Sequence, residues 1–274
     1  MTVWINGRLL GDDEASVSVF DRGLVVGDGI FETIKVVGGV PFALSRHLAR
    51  LGRSAAGLGL PEPDLEAIRA GADALLEASG RPERARMRIT VTGGMSHLGS
   101  ERTGSPPTVI VALGELTPWG PSCDVITVPW PRNEHGATAG LKTTSYAENV
   151  RALAYARERG GGEAIFGNTA GYLCEGTGTN VFVVTAGRLI TPPLSAGCLA
   201  GVTRALVIEW AGAQEEDLAI AALAGAEEAF LTGTTRDVQP IRSVDGVALP
   251  AAPGPVTRKA AEIFAARSSD VVDP

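Results

Sequence analysis

The chain is poor in lysine. It has 274 residues, 24 of them Lys or Arg, and the lysines are only Lys35, Lys142 and Lys259. Chemistry that needs a lysine amine therefore has three candidates. Cysteine is as scarce. Cys123, Cys174 and Cys198 are odd in number and widely spaced, and no Cys-x-x-Cys occurs. That excludes a thiolate zinc site and reads as a reduced, cytoplasmic protein. The three histidines, His47, His97 and His135, lack metal-ligand spacing, so no metal is expected. No apolar run approaches the roughly 18–20 residues that span a bilayer, so no membrane is expected. A basic block is missing too, and the formal net charge is −7. Nucleic acid is therefore not expected as a partner. The opening residues, Met-Thr-Val-Trp-Ile-Asn-Gly-Arg, read as a strand and turn rather than a signal peptide.

What is present is ordinary for a globular chain: 45% hydrophobic and 20% charged residues. Asn6-Gly7 and Gly38-Gly39 mark hairpin turns around a β-branched stretch, Ile30 to Val37. Leu44, Leu48, Leu51, Ala55 and Leu58 then recur at helical spacing, with Arg46, Arg50 and Arg53 on another face. Asp64 to Ser79 predicts a second helix, and Arg86–Thr92 and Thr108–Leu113 predict strands. Residues 114–121 hold four breakers, Gly114, Pro118, Gly120 and Pro121, and form the best linker. A strand is expected over Cys123–Trp130, and a helix from the capping box Ser145-Tyr-Ala-Glu148. Strands and turns fill Glu163–Thr191. Helices follow near Thr203–Ala211 and Asp217–Ala224, then a strand from Glu228 and a last helix over Val256–Arg267. The expected organisation is an α+β domain over 1–113, a linker over 114–121 and a second domain over 122–274.

Several segments carry candidate chemistry. Residues 21–33 hold three glycines ahead of a strand. They match neither a phosphate-binding Gly-Lys-Ser/Thr loop nor a dinucleotide fingerprint, and alone they read as a turn. Arg50 alone reads as a solvated arginine, yet its fork of donors suits a phosphate. Gly201-Val202-Thr203 opens a helix, where free N–H groups and the dipole attract an anion; a plain N-cap is the equal alternative. Thr232-Gly233-Thr234 offers hydroxyls and amides, or a simple turn. Lys142 sits between a Gly-rich loop and a helix start, whose positive end disfavours an ammonium and favours the neutral amine that Schiff-base chemistry needs. Lys35 and Lys259 have bland readings on a strand and a helix surface. Glu175 follows an apolar strand, and its neighbours Leu173, Cys174, Val181 and Phe182 favour burial, which calls for a cationic partner. A poised lysine, a buried carboxylate, an arginine and a helix-end anion cradle together fit pyridoxal phosphate chemistry.

From Val17 to Ile241 the sequence resembles the class IV pyridoxal-phosphate aminotransferases, of fold type IV. The resemblance rests on Asp21-x-Gly23 with Gly27-Asp28-Gly29-x-Phe31-Glu32-Thr33, His47-x-x-Arg50-Leu51, Leu141-Lys142 and Glu175-Gly176-Thr177-x-x-Asn180-x-Phe182. It rests also on Thr191-Pro192-Pro193, Leu199-x-Gly201-Val202-Thr203-Arg204 and Thr232-Gly233-Thr234. It implies a small N-terminal α+β domain, a larger C-terminal domain with a barrel-like sheet, and a homodimer acting on a small amino substrate. By the same resemblance Lys142 holds pyridoxal 5'-phosphate and shuttles protons, and Glu175 pairs with the pyridine nitrogen. Arg50, Gly201, Val202, Thr203 and Thr234 bind the phosphate, and Tyr146 lies near the phenolic oxygen. Phe31, Arg88, His97 and Arg102 are the substrate-side candidates, the last three for carboxylates. Lys142 is followed by Thr-Thr-Ser-Tyr, not by the Gly-Gly ahead of Asn-Tyr of branched-chain aminotransferases. The loop Gly93–Arg102 lacks the Arg-x-His of D-amino-acid aminotransferases. The compact length, Asp21-Arg22, the Gly-rich loop over 93–99 and the Lys142–Asn149 stretch look most like 4-amino-4-deoxychorismate lyases. Lyase activity is therefore the expectation. The alternative is an aminotransferase for D-amino or branched-chain amino acids with a 2-oxo acid acceptor.

Overall fold

A computed structural model describes residues 2–274. Two compact units divide it. The first runs to Thr117 and takes in Leu141–Tyr146 and Val272–Pro274; the second holds Pro118–Gly140 and Ala147–Val271. Where a single link at 114–121 was expected, the chain re-enters the first unit at Leu141. The reason is local pairing: residues 142–144 bond to a strand of that unit, as set out below.

The first unit contains β1 (Thr2–Ile5), β2 (Arg8–Gly11), the one-turn α1 (Arg22–Val25), β3 (Gly29–Val37), β4 (Val40–Pro41), α2 (Leu44–Leu58), α3 (Leu65–Ala78), β5 (Arg84–Thr92) and β6 (Thr108–Gly114). The strands form an antiparallel sheet of order β2-β1-β6-β5-β3-β4. Alternation along β3 sends Ile30, Ile34 and Val36 into the core with Leu48 and Leu51 of α2 and Leu75 of α3. Burial of each such side chain contributes about 1.5–3 kcal/mol. Gly59 ends α2 in the left-handed region, with φ 70°. Asp64 caps α3 by accepting from the Ala67 N–H.

The second unit contains β7 (Cys123–Thr127), α4 (Ala147–Arg157), β8 (Glu163–Gly167), β9 (Leu173–Gly176), β10 (Asn180–Thr185), β11 (Arg188–Thr191), α5 (Val202–Ala211), β12 (Gln214–Glu215), β13 (Glu228–Gly233), β14 (Asp237–Val244), β15 (Val247–Ala248) and α6 (Pro255–Asp270). Its nine-stranded mixed sheet runs β12-β11-β10-β13-β14-β7-β8-β9, with β15 on β14. The ring stack of Phe182 on Phe230, 4.9 Å between centroids, lies in its interior.

Three expectations change. The strand that opens the second unit stops at Thr127. The helix expected from Ser145 starts at Ala147, because the Ser145 hydroxyl donates to the Gly27 carbonyl instead of capping it. The helix expected over Asp217–Ala224 shrinks to a 3₁₀ turn, Ile220–Leu223. There the Leu218 carbonyl accepts from the Leu173 N–H and Ala219 bridges to Tyr172, so the backbone serves a strand first. Among the described residues no helix is long and apolar enough to cross a membrane.

Candidate active site

In the first unit the chain around Lys142 adds itself to the edge of β3. The Lys142 carbonyl accepts from the Phe31 N–H at 3.0 Å, Thr143 bridges Ile30, and the Thr144 N–H donates to Gly29 O at 2.8 Å. From the other side, the Lys142 N–H donates to Ser54 Oγ on α2 at 3.3 Å. Leu141 packs where Gly57 leaves room, since a Cβ there would lie 2.6 Å from a Leu141 methyl. The lysine is thus held by its backbone, and its amine stands over aromatic rings. Nζ is 4.3 Å from the Phe31 centroid and 5.8 Å from that of Tyr146. Tyr146 meets Phe31 edge-on at 5.1 Å. The Arg88 guanidinium, exposed on β5, lies 3.8 Å from the same Phe31 ring. Lys142, Tyr146, Phe31 and Arg88 therefore form one cluster.

Arg50 is not on the solvent face of α2 with Arg46, as the spacing suggested. It is buried, and Glu32 on the core-facing side of β3 is the reason. Arg50 Nε donates to Glu32 Oε1 at 2.8 Å and Nη2 to Oε2 at 2.6 Å. His47 Nδ1 lies 2.7 Å from Oε2. Burial alone would raise the Glu32 pKa, but Arg50 and His47 outweigh it and bring it down to about 2. Burial lowers the His47 pKa against the pull of Glu32. A neutral His47 then carries its proton on Nδ1 and donates it to Glu32. Its Nε2 is buried without a hydrogen-bond partner.

The remaining substrate-side candidates lie on the loop after β5. Arg102 commits its donors within the protein: Nε and Nη2 to Asp28 at 2.8 and 2.5 Å, Nη2 to Leu58 O at 3.0 Å, and Nη1 to Gly59 O. Arg22 reaches the other side of the hub, donating to Asp28 and to the carbonyls of Gly99, Ser100 and Glu101. Hydrogen bonds from Arg102, ahead of those from Arg22, lower the Asp28 pKa. Asp21 ties the loop base by accepting from Thr92 and Thr108. His97 is exposed at the tip. Of the three carboxylate candidates, Arg88 alone stands in the cluster with Lys142.

In the second unit Glu175 ends β9. Its Oε2 accepts from the Leu199 N–H at 2.9 Å, and its Oε1 is 3.4 Å from Arg132 Nε. Arg132 stacks over Phe166 at 4.1 Å and donates to Glu148 and to Asn149 Oδ1. This is the cation that a half-buried carboxylate calls for. Sequence reasoning posed the requirement but not the residue, because a lone Arg in Pro-Arg-Asn carries no pattern. Gly201 is the N-cap of α5, with no side chain bonding to the first turn. The backbone N–H groups of Val202 and Thr203 thus open the helix uncapped, where the dipole favours an anion. A Cβ on Gly201 would sit 2.0 Å from Asn180 Oδ1, so only glycine fits this approach. Thr234 follows β13 two residues after Thr232, whose buried Oγ1 has no hydrogen-bond partner. Buried Glu163 organises the neighbouring turn. It accepts from the Thr177 N–H at 3.2 Å, the Thr177 hydroxyl and Thr179 Oγ1 at 3.3 Å, and Arg236 Nη2 lies 3.2 Å away.

The family model for amino-transferase class IV matches residues 29–244. The chain belongs to the class IV aminotransferases. Its fold is fold type IV, and the family's cofactor, pyridoxal 5'-phosphate (PLP), is its cofactor. A putative branched-chain-amino-acid aminotransferase of Methanocaldococcus jannaschii is 33% identical over 96% of this chain and 95% of the relative. The aminodeoxychorismate lyase of Bacillus subtilis is 30% identical over 89% of this chain and 87% of the relative. A PLP-bound hypothetical aminotransferase from Mycobacterium tuberculosis superposes with a TM-score of 0.88 at 27% identity, covering 99% of this chain and 100% of that one. The residues fit PLP. An uncapped helix start suits a phosphate, Glu175 supplies a carboxylate, and Lys142 supplies an amine on a fixed backbone.

Proposed function

We propose that this class IV enzyme is a 4-amino-4-deoxychorismate lyase, releasing pyruvate and 4-aminobenzoate. The observation that carries this reading is that Arg88 shares the Phe31 ring with Lys142. Nζ and the guanidinium lie 4.3 and 3.8 Å from the Phe31 centroid. In aminodeoxychorismate the ring carboxylate lies across the ring from the amine, and Arg88 is the cation that shares the Phe31 ring with Lys142. Among the relatives the aminotransferases are the better represented, at up to 33% identity, and the Bacillus subtilis lyase at 30% supports the lyase reading more weakly.

In this reading Lys142 binds the aldehyde of PLP, Glu175 meets its ring nitrogen, and Arg50, Gly201, Val202, Thr203 and Thr234 bind its phosphate. PLP when bound supplies an electron sink for a carbanion beside the substrate nitrogen. Arg132 and the Leu199 N–H orient Glu175, the carboxylate that would face the ring nitrogen. Lys142 Nζ would take the proton from the ring carbon that bears the substrate amine. Arg88 holds the ring carboxylate, and Phe31 and Tyr146 pack on the substrate ring and exclude water. The enolpyruvyl C–O bond breaks as the ring becomes aromatic, and no 2-oxo acid acceptor is consumed.

A second reading, transamination, is favoured by the branched-chain relative. Mixing the enzyme with each amino substrate and no 2-oxo acid separates the two. A lyase turns over repeatedly and keeps the cofactor's aldehyde absorbance. An aminotransferase stops after one turnover with that band lost. Loss of the band with aminodeoxychorismate refutes the lyase.

A further inference from the structure

We propose that Glu32, locked by His47, is a positioning residue that sets the Arg50 guanidinium for the cofactor's phosphate; the inference rests on the reading that Arg50 binds that phosphate. Glu32 grips Arg50 side-on, through Nε and Nη2 at 2.8 and 2.6 Å. Two parallel bonds fix both the plane of the guanidinium and its rotation, which one bond cannot do. The carboxylate cannot turn in response, because His47 Nδ1 holds Oε2 at 2.7 Å. The same helix stripe runs on. His47, Arg50 and Ser54 recur at i, i+3 and i+7 on α2, and Ser54 Oγ accepts the Lys142 N–H. One helix face therefore fixes both the arginine and the lysine backbone within the first unit.

Stability alone does not account for the ion pair. Glu32 has 0% exposure and its neighbours along that face of β3 are Ile30, Ile34 and Val36. A buried ion pair is worth little net stability against apolar residues of the same volume. What the pair does provide is direction, and a buried cation already neutralised before any phosphate arrives. His47 fits the same role. Neutral, it has one N–H to give, it gives it to Glu32, and Nε2 is left buried without a partner.

The test compares binding of PLP and of pyridoxal, which lacks the phosphate, to protein stripped of cofactor. Both probes need Lys142, so only the phosphate contribution differs. R50Q should lose most of the preference for PLP. E32Q should weaken PLP binding on the order of tenfold while leaving pyridoxal binding within about twofold. H47L should show a smaller loss of the same kind. H47N, whose amide nitrogen stands where Nδ1 stood, should restore it. If R50Q keeps the preference, the phosphate role of Arg50 falls. If R50Q loses it and E32Q keeps it, Glu32 does not position Arg50. Equal weakening of PLP and pyridoxal in E32Q also overturns the proposal, because general damage to the core would do that. If E32Q does not fold, the histidine pair decides. Phosphate-selective loss in H47L with rescue in H47N supports the proposal, and unchanged selectivity in H47L overturns it.

Discussion

Replacing Arg88 with methionine removes the guanidinium and keeps most of the side chain's length. The structure ties Arg88 lightly to the fold: one hydrogen bond to Thr90 Oγ1 at 3.2 Å, and the Phe31 ring at 3.8 Å. Exposed contacts of these kinds contribute about 0.5–1 kcal/mol each, so R88M should shift the melting temperature by only a few degrees. Its effect on substrate should be larger. A bidentate contact from arginine to carboxylate contributes about 1.5–3 kcal/mol, a factor of roughly 10–150. The contact exists before and during reaction, so the loss should fall on KM with kcat changed by only a few-fold. R88K should lie between, since an ammonium neither forks nor stacks flat. Steady-state release of pyruvate from aminodeoxychorismate measures all three variants. A KM for R88M within twofold of the parent, in protein with unchanged melting, would refute the role of Arg88. A proportional fall in kcat with KM constant would place Arg88 in the reacting step instead.

Lys142→Ala should abolish the visible absorbance of the covalently held cofactor together with turnover. A surviving band that requires Lys35 would move the site. Glu175→Gln should lower kcat about 10–100-fold by removing a charge-assisted contact to the ring nitrogen, and parental turnover there would remove Glu175 from the mechanism. Stability should fall on the acid side in two windows. Burial depresses the pKa of His47 in the fold, so the unfolded chain binds its proton first and stability declines as pH drops below about 6.5. Glu32 is depressed from 4.5 to about 2, so its contribution is present above 4.5 and is lost as pH falls from there towards 2. Melting temperatures from pH 7 to 3 should show both declines, and H47N should flatten the upper one. An unchanged profile in H47N would contradict the neutral, buried state of His47.

Much of the fold was legible from periodicity. The leucine spacing of α2 and the β-branched run of β3 each named their element, because one buried face imposes one period. Lys142 stood out by scarcity and setting, and Glu175 by its apolar approach. Other features depend on contacts across long sequence separations. Nothing local shows that Ser145 bonds to Gly27 and leaves α4 to begin at Ala147, or that Leu218 lends its carbonyl to Leu173. Arg50 looked solvated because helical spacing places a residue on a face without showing what opposes it. Glu32, hidden among Ile30, Ile34 and Val36, reversed that reading. Arg102 looked available for a carboxylate until Asp28 and the carbonyls ending α2 claimed its donors. Arg132 was required by Glu175, yet its identity lay 43 positions upstream in an unpatterned loop.

Under the proposed function, Lys142 and Arg88 serve a substrate whose amine and carboxylate lie across a ring. The direct measurement is product formation from purified enzyme and aminodeoxychorismate with no 2-oxo acid present. The expected result is 4-aminobenzoate and pyruvate in equal amounts, many per active site. No 4-aminobenzoate, alongside sustained turnover of D-alanine or leucine with 2-oxoglutarate, would contradict it.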